Sequence, residues 1–425
     1  MKVITRLIVR SVVLLGVVIP CFLSISGFAA DRPAPPASPG PSTLSNALKE
    51  DVLSVSGKLR ILRLEGTPYE MGLAHGRAMR KELREIVELW RKDLETTYKT
   101  DAASFIKALL AKTNFRPAIE KWTPGLLDEV RGIADGAGLD FETMYAYQLI
   151  DETWVAGPDL GLGKCTSIGA GKTAGRPAFV SQTLDIPAYY HGYQTVLRIR
   201  DREADLETLV LTIPGVVAAN GLNSRGVGLC VNAVTQLVYT TDGLPVAFVI
   251  RGTLKKNSFM EAAEFLRTIK PAAPQNYLLG GPDGVASFEL AGNRIARFVP
   301  FEGAAFTYHT NHPMVNEEFN PKFLERVKPR GWSVDRMKAS CPRFNFLKHT
   351  LGDNSAALGL DDLKALYRDR KSGINNAGTY ACTIMLLGDD PELHIAPGRP
   401  DTEPFQILPF SARPGSPSPR RGLPQ

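Results

Sequence analysis

The sequence predicts an α+β protein built from layered, mostly antiparallel sheets, with helices grouped in blocks between the strands. Up to residue 164, apolar residues recur every three or four positions, which is the spacing of one helix face. From Cys165 onward, short runs of β-branched and aromatic residues are separated by turn residues, as expected for strands and hairpins. Because the strands do not alternate one by one with helices, a layered arrangement is favoured over βαβ units.

The helical signals begin near residue 69. The stretch "YEMGLAHGRAMRKELREIVELWRKDL" places six apolar residues on one face of a helix: Met79, Leu83, Ile86, Val87, Trp90 and Leu94. In "WTPGLLDEVRGIADGAG", Thr123 is the expected N-cap and Pro124 the first helical residue, and the glycines at 136 and 138 are expected to end the helix. Asp140 is expected to cap a further helix through "FETMYAYQLIDE".

Strands are expected from Cys165 to the end of the chain, interrupted by groups of helices. "CTSIGAG" and "PAFVSQTLD" form a predicted hairpin across "KTAGR", and "TVLRIRD" with "LETLVLTI" forms a second pair. "SFMEAAEFLRTI" is a predicted helix, opened by a capping box of Ser258 and Glu261. Two more helical segments are expected around residues 335–350 and 360–370, and "YACTIMLL" and "ELHIAPG" follow as strands.

The chain begins like an exported protein. Basic residues among the first ten positions precede an almost wholly apolar run at 11–28, and small residues follow. This layout predicts a signal peptide over residues 1–30, cleaved after Ala29 or Ala30, and therefore a secreted or periplasmic protein. A retained membrane anchor is the alternative.

Composition divides the rest of the chain into four parts. Residues 31–57 are rich in proline and serine and are expected to be a disordered linker, as is the tail at 413–425. Between them we expect a helical leader over 58–164 and a catalytic chain over 165–412. The formal net charge of +6, which falls to +3 without residues 1–30, says little about partners. The lack of a long Lys/Arg run predicts no nucleic-acid partner, and no stable membrane partner is expected.

Four cysteines follow the apolar N-terminal run: Cys165, Cys230, Cys341 and Cys382. None has the spacing of a CxxC motif or a metal site, and although two of them could pair in an exported protein, their positions do not define which. His309 and His312 form an HxxH pair, but no third ligand with suitable spacing accompanies them. We therefore expect no metal and no other cofactor.

Cys165 differs from the other cysteines because it stands in a glycine-rich turn, "LGLGKCTSIGAG", directly before a strand. If the bond between Lys164 and Cys165 is cut, the new N-terminal residue carries both a thiol and an α-amino group. The pKa of such an amino group, roughly 7.7–8.0, lets it act as the base for its own thiol. The glycines allow the backbone to bend so that the thiol can attack the preceding carbonyl. The sequence thus predicts a cleavage site and a nucleophile here, against the alternative of an ordinary turn cysteine.

Five segments, in order along the chain, resemble motifs of one known family. They are "LEGTPYEMGLAHGRAMRKEL", "KCTSI", "VSQTLDIPAYY", "IPGVVAANGLNSRGVGLCVNAV" and "YHTNHP", and the resemblance spans about residues 64–400. Their pattern is similar to that of the isopenicillin-N acyltransferase-like family of N-terminal-nucleophile hydrolases. The resemblance implies a four-layer αββα sandwich and a proenzyme cut into two chains that stay together. It also implies cleavage or acyl transfer at an amide bond through a thioester.

The resemblance implies roles for individual residues. Cys165 matches the nucleophile, and Asp185 matches the acidic residue that orients the cysteine's amino group. Asn232 and Asn311 match the positions that form the oxyanion hole, one of them through its backbone N–H, and each preorganised donor typically contributes about 3–4 kcal/mol in the transition state.

This sequence departs from the family pattern at three places. Lys164 replaces a small residue before the scissile bond, and Thr183 stands where asparagine is frequent. Thr379 and Tyr380 occupy the neighbourhood of an arginine that the family often places near the nucleophile. The lack of this arginine affects the expected binding of the substrate's polar group more than the assignment of Cys165 as the nucleophile.

The favoured function is an exported, self-processing cysteine amidohydrolase that can also transfer the acyl group. Its partners would be a small-molecule or peptide amide substrate and its own cleaved leader. We expect Tyr189 and Tyr190 to line the substrate pocket. In the leader, His75 is expected to have a packing role and not a catalytic one. Two alternatives remain open from the sequence. One is a single-chain thiol hydrolase with a Cys165–His309 dyad, and the other is an inactive ligand-binding protein that keeps the fold.

Overall fold

The computed structural model of the chain describes residues 52–155, 164–304, 306–331, 333–352 and 358–411. The expected signal peptide at 1–30 lies outside the described residues, as do residues 31–51 of the expected linker at 31–57 and the whole expected disordered tail at 413–425. Within the described ranges, no helix is long and apolar enough to cross a membrane.

The strands of the described residues are β1 Leu53–Ser56, β2 Leu59–Glu65, β3 Thr166–Ala170, β4 Phe179–Asp185, β5 Thr195–Asp201, β6 Leu206–Thr212, β7 Asn220–Asn223, β8 Gly228–Ala233, β9 Gln275–Gly281, β10 Gly284–Leu290, β11 Ile295–Phe298, β12 Phe306–His309, β13 Thr379–Leu386, β14 Glu392–Ala396 and β15 Gln406–Pro409. They form a nine-stranded sheet in the order β1-β2-β5-β6-β7-β8-β9-β10-β11 and a six-stranded sheet in the order β12-β3-β4-β13-β14-β15. Neighbouring strands are antiparallel except β2 and β5, which are parallel. The two predicted hairpins, β3–β4 and β5–β6, are confirmed.

The helices of the described residues are α1 Pro68–Ala78, α2 Arg80–Tyr98, α3 Ala102–Ala111, α4 Arg116–Trp122, α5 Leu126–Ala137, α6 Phe141–Tyr147, α7 Val246–Leu254, α8 Phe259–Thr268, α9 Pro321–Val327, α10 Val334–Ala339, α11 Pro342–Leu351 and α12 Leu360–Arg368. Helices α1 to α6 all lie in the expected leader. Helices α7 and α8 follow β8, and the last four separate β12 from β13.

The two sheets pack face to face, with helices on both outer faces. Gly228 and Gly280 of the larger sheet lie so close to Val180 of the smaller sheet that a methyl group at either glycine would crowd the Val180 side chain. The helices α7 and α8 share the core of the larger sheet, whereas α11 and α12 contribute Phe344 and Tyr367 to a separate cluster on the outer face of the smaller sheet. The predicted α+β class and four-layer αββα arrangement are confirmed.

The expected helical leader also contains strands, and the expected linker does not reach residue 57. The strands β1 and β2 pair as an antiparallel hairpin across Gly57, whose φ of +59° is left-handed. Strand β2 then pairs in parallel with β5, Arg60 lying opposite Thr195. Because these partners are far apart in sequence, local residue spacing could not indicate the pairing.

Helix boundaries differ from the prediction at several points; the helix expected through Glu152, for example, ends at Tyr147. The helix expected from residue 69 to 94 is divided at Met79, although all of its predicted face residues are buried. Thr123 does not cap the next helix, because its hydroxyl donates to Ile119 O at 3.0 Å and closes the last turn of α4. Asp140 and Ser258 cap α6 and α8 as predicted.

Four glycines explain the close packing of α1 on α5. Gly72 and Gly76 on α1 face Gly132 and Gly136 on α5 at backbone contact. A methyl group at Gly72 would lie 1.9 Å from the Glu129 carbonyl oxygen. Only glycine allows two helices to approach this closely, which gives the glycines of "YEMGLAHG" a packing role.

The leader is tied to the rest of the chain by buried polar contacts. His75 is fully buried, and its Nε2 accepts the Gly215 N–H at 3.0 Å. Burial, with the nearby Arg251 charge, lowers the pKa of His75 to about 4, so this side chain is neutral and structural near pH 7. The Arg251 guanidinium also forms a buried two-pronged ion pair with Glu129, at 2.7 and 2.8 Å. These contacts make the leader part of the same core as the predicted catalytic chain.

Candidate active site

Cys165 lies directly before β3 and is almost fully buried. Its Sγ accepts the backbone N–H of Asp185 at 3.4 Å, because β3 and β4 are adjacent strands of the smaller sheet. Burial, followed by the Asp185 charge, raises the pKa of the Cys165 thiol to about 12. While the chain is uncut, the thiol is therefore protonated near neutral pH and needs a base before it can act as a nucleophile.

Asp185 ends β4, beside the predicted nucleophile, and is 6% exposed. Its Oδ2 accepts a hydrogen bond from Asn376 Nδ2 at 2.5 Å. No donor among the described residues reaches its buried Oδ1. Burial raises the pKa of Asp185 to about 7, although the hydrogen bond from Asn376 and the neighbouring Thr379 hydroxyl oppose the shift. The sequence singled out Asp185 but not Asn376.

Arg343, in the first turn of α11, reaches the predicted cleavage site. Its Nη1 lies 2.5 Å from the carbonyl oxygen of Lys164 and 2.6 Å from that of Cys165. The same atom lies 2.7 Å from Thr166 Oγ1. The guanidinium is thus a positive charge at the carbonyl that the Cys165 thiol would attack. The sequence analysis did not single out Arg343, because its contact with Lys164 spans 179 positions of sequence.

Asn311 is joined to this arginine. Its Oδ1 accepts a hydrogen bond from Arg343 Nη2 at 3.0 Å, and its Nδ2 donates to Ala233 O at 3.1 Å. The Asn311 side chain therefore orients the guanidinium, and its amide nitrogen is bound to a carbonyl, while a role of this position in the oxyanion hole stays a prediction.

The side-chain NH₂ group of Asn232 has no acceptor among the described residues. Asn232 Oδ1 accepts from Ser167 Oγ at 2.6 Å and from Asn276 Nδ2 at 3.1 Å. Its Nδ2 is buried and has no acceptor within the described part of the chain. A preorganised N–H donor of this kind is what a developing oxyanion requires. Because Ser167 lies two residues after Cys165, Asn232 is tied to the strand that carries the nucleophile.

Tyr189 and Tyr190 lie on a short turn after Asp185 and pack against the leader. Their rings are 4.2 Å apart, and the Tyr189 hydroxyl donates to Asp93 Oδ2 on α2 at 3.3 Å. Tyr190 is almost fully buried. Their place in a substrate pocket stays a prediction, and any pocket wall that they form is shared with the leader.

His309 is engaged elsewhere and does not serve Cys165. Its Nδ1 lies 2.8 Å from Thr310 O, and its Nε2 lies 2.7 Å from Glu289 Oε1. Both ring nitrogens are therefore occupied by oxygen partners other than the Cys165 thiol. Burial alone would raise the pKa of Glu289, but the hydrogen bond from His309 and backbone N–H groups lower it below its usual value. The pair is a buried structural unit.

The remaining cysteines and His312 give no sign of a metal centre. The four cysteines of the described residues are free, buried thiols. Burial raises the pKa of Cys341, but hydrogen bonds from His312 and Thr310 outweigh it and bring the pKa to about 6. Among the described residues, no three His, Cys, Asp or Glu side chains are grouped so that they could hold a metal ion.

Comparison with known proteins identifies relatives of the chain. Residues 193–380 match the family model for acyl-coenzyme A:6-aminopenicillanic acid acyl-transferase. The chain is also 24% identical over 280 residues to the 40 kDa form of acyl-coenzyme A:6-aminopenicillanic-acid-acyltransferase from Emericella nidulans, covering 63% of this chain and 73% of that protein. The resemblance to this acyltransferase family, indicated by the sequence motifs, is confirmed.

Other matches are more partial. Protein dcd1B from Dictyostelium discoideum is 24% identical over 234 residues, which cover 49% of this chain and 45% of that protein. Protein dcd1A from the same organism is 27% identical over 131 residues, or 27% and 28% of the two chains. The matched segments therefore span less than half the length of these two relatives.

Two solved structures are also similar. A mutant of conjugated bile acid hydrolase from Clostridium perfringens has 11% identity and a TM-score of 0.36, covering 58% of this chain and 97% of that chain. Penicillin V acylase from Agrobacterium tumefaciens has 12% identity and a TM-score of 0.35, covering 58% and 86%.

Proposed function

We propose that this chain is a self-processing cysteine amidohydrolase that cuts itself between Lys164 and Cys165 and then cleaves a linear amide through a thioester. One observation carries the proposal. The Arg343 guanidinium contacts the carbonyl oxygens of both Lys164 and Cys165, and the Cys165 thiol follows this peptide bond and lies against the backbone of Asp185. The acyltransferase family match supports an enzyme that acts on amide bonds.

Self-cleavage begins with attack of Cys165 Sγ on the carbonyl carbon of Lys164. The sulfur–carbon bond forms, the carbonyl electron pair moves to oxygen, and Arg343 lies where it stabilises that negative charge. The carbon–nitrogen bond then breaks, and the nitrogen keeps the bonding pair and takes up the thiol proton. Water hydrolyses the resulting thioester, which leaves a carboxylate on Lys164 and a free thiol and amino group on Cys165.

Turnover would use the groups that cleavage creates. The α-amino group takes the proton of the Cys165 thiol, and the sulfur attacks the carbonyl carbon of the substrate amide. Asn232 Nδ2 has the free donor that the oxyanion needs. The amine leaves with the proton, and water attacks the thioester to release the acid.

Hydrolysis is proposed over acyl transfer because the N-terminal sequence predicts export. Acyl-coenzyme A donors are cytoplasmic, so an exported enzyme would not meet them, whereas water is available in every compartment. The same thioester would accept an amine in place of water, so transfer remains a secondary activity. The proposed substrates are small N-acyl amides or short peptides, with Tyr189 and Tyr190 lining the acyl side.

The alternative functions lose support from the geometry. A Cys165–His309 dyad would need a His309 nitrogen that Glu289 and Thr310 already occupy. The lack of an arginine near residue 379 is a departure from the family pattern that favours the inactive binding protein, but Arg343 supplies a guanidinium beside Cys165.

The proposed activity can be tested with a series of N-acyl p-nitroanilides of increasing acyl-chain length. Wild type is expected to release p-nitroaniline and, on rapid acid quench, to carry the acyl mass on Cys165. Cys165→Ala is expected to do neither, whereas Cys230→Ala, which removes another buried free thiol, should retain both. Activity that survives in Cys165→Ala would rule out the thioester route.

A further inference from the structure

One oxygen of the Asp185 carboxyl group accepts a hydrogen bond, and the other has no hydrogen-bond donor among the described residues. Asn376 Nδ2 holds its Oδ2 at 2.5 Å, whereas its buried Oδ1 has no donor among the residues that the structure describes. A buried carboxylate oxygen without a partner is unfavourable, so such an atom often marks a position that another group fills. Cleavage before Cys165 creates one new donor here, the α-amino group of the residue whose Sγ already contacts the Asp185 backbone.

Asn376 is itself held in one orientation. Its Oδ1 accepts the Gly378 N–H at 2.9 Å, and its own backbone N–H donates to Thr379 Oγ1 at 3.2 Å. Thr379 is the strand partner of Asp185 at the start of β13. Reversing the Asn376 amide would place its oxygen against the Asp185 carboxylate and its NH₂ against the Gly378 N–H. The amide therefore presents a donor to Asp185.

We propose that Asn376 is a positioning residue that fixes the Asp185 carboxylate so that Oδ1 receives the α-amino group of Cys165 after cleavage. The inference rests on the proposed function, because it requires the new amino terminus. With Oδ2 occupied, the amino group has one acceptor and one location beside the thiol. Asn376 acts through Asp185 and not on the substrate.

The groups around Asp185 determine the sign of the expected pH effect. The thiols of Cys165 and Cys382 and the cations of Arg343 and Lys164 face it from the neighbouring elements. Burial raises the pKa of Asp185, and the hydrogen bond from Asn376 is the largest of the opposing effects. Removing that donor raises the pKa further. Because the amino group needs an ionised Asp185, the acid limb of the activity profile should move to higher pH.

Asn376→Asp is the most specific test. Its carboxyl group still accepts the Gly378 N–H, but an oxygen takes the place of the NH₂ group that donates to Asp185. Full-length wild type, Asn376→Asp and Asn376→Ala are compared for self-cleavage rate and for the pH profile of p-nitroanilide hydrolysis by the cleaved enzyme. Both variants should be at least about tenfold slower at neutral pH, with the acid limb about one pH unit higher and KM unchanged.

Asn375→Ala is the matched control, since Asn375 Nδ2 binds Asp401 Oδ1 at 2.8 Å and not Asp185. Its acid limb should coincide with that of wild type. Active wild type together with unchanged rates and limbs in both Asn376 variants would overturn the inference while leaving the proposed function intact. Wild type that neither cuts itself nor hydrolyses would remove both. Failure of both Asn376 variants to fold, with Asn375→Ala folded, would assign Asn376 a structural role and also overturn it.

Discussion

The guanidinium of Arg343 lies 2.5 Å from the carbonyl oxygen of Lys164, the residue that precedes the predicted nucleophile. Asn311 holds the other end of the guanidinium at 3.0 Å, which fixes it in this position. A fixed cation at a peptide carbonyl lowers the free energy of an oxyanion on that carbonyl. The relationship connects the helix α11, far along the chain, to the proposed cleavage of the leader.

Arg343→Gln should slow self-cleavage by about 10²–10³-fold, since it removes the cation at the Lys164 carbonyl. Arg343→Lys should recover part of the rate, because lysine restores the positive charge but not the planar guanidinium group with its several N–H donors. The measurement is the fraction of cut chain against time after refolding. Arg267→Gln, on the exposed side of α8, is the control and should cut at the wild-type rate. Equal rates in all of these chains would exclude Arg343 from the step.

Asp185 should make the uncut precursor less stable as pH rises. Its pKa of about 7 lies above the ordinary value of 3.8, so the folded chain holds a proton that the unfolded chain loses in that range. Its contribution to the free energy of unfolding is complete below about pH 4 and lost as pH rises through 7. The loss is on the order of 4 kcal/mol.

The comparison that isolates this contribution is Cys165→Ala against Cys165→Ala/Asp185→Asn, unfolded in urea from pH 4 to 8. His75, whose pKa is lowered to about 4, has the opposite sign and stabilises the fold as pH rises to about 6.5. Because both chains contain His75, its effect cancels in their difference. A difference that does not vary with pH would contradict the raised pKa of Asp185.

Gly72→Ala should prevent α1 from packing on α5. The added methyl group would meet the Glu129 carbonyl oxygen at 1.9 Å, and backbone cannot move aside as a side chain can. We expect a loss of at least about 3 kcal/mol in the free energy of unfolding, or no soluble protein. Gly175→Ala is the control, since no atom lies within 4 Å of the position of its added carbon. Similar melting temperatures for the two variants would show that the helices can separate at little cost.

His309→Gln separates a structural role from a catalytic one. The change breaks the buried pair with Glu289 and should lower the free energy of unfolding by on the order of 3–5 kcal/mol. Self-cleavage per folded molecule should stay near the wild-type rate, measured at a temperature where the variant is fully folded. Hydrolysis of the p-nitroanilide per folded molecule should also stay near the wild-type rate, and its loss in a folded variant would instead favour the single-chain Cys165–His309 dyad.

Local sequence patterns were sufficient to predict the hairpin that brings Cys165 and Asp185 together. Cys165 and Asp185 lie at the ends of a hairpin that turn residues and alternation predict, and the strand pairing brings them into contact. The buried face of α2 likewise follows from residue spacing alone. These features depend on neighbours within a few tens of residues.

The parts that the sequence missed depend on distant partners. Arg343 reaches Lys164 across 179 positions, and Asn376 reaches Asp185 across 191. In the sequence, the first stands in an ordinary helix start and the second in a polar loop, so neither pattern indicates a site. The parallel pairing of β2 with β5 was missed for the same physical reason, because strand partners across a sheet leave no local spacing signal.

The central claim is that Cys165 cuts the chain before itself. The most direct measurement is the intact mass of the purified protein under denaturing conditions, for wild type and Cys165→Ala. The account predicts two fragments in wild type, the larger beginning at Cys165 and the smaller ending at Lys164, and one uncut chain in the variant. A single uncut chain in both proteins would contradict self-processing and the N-terminal-nucleophile mechanism with it.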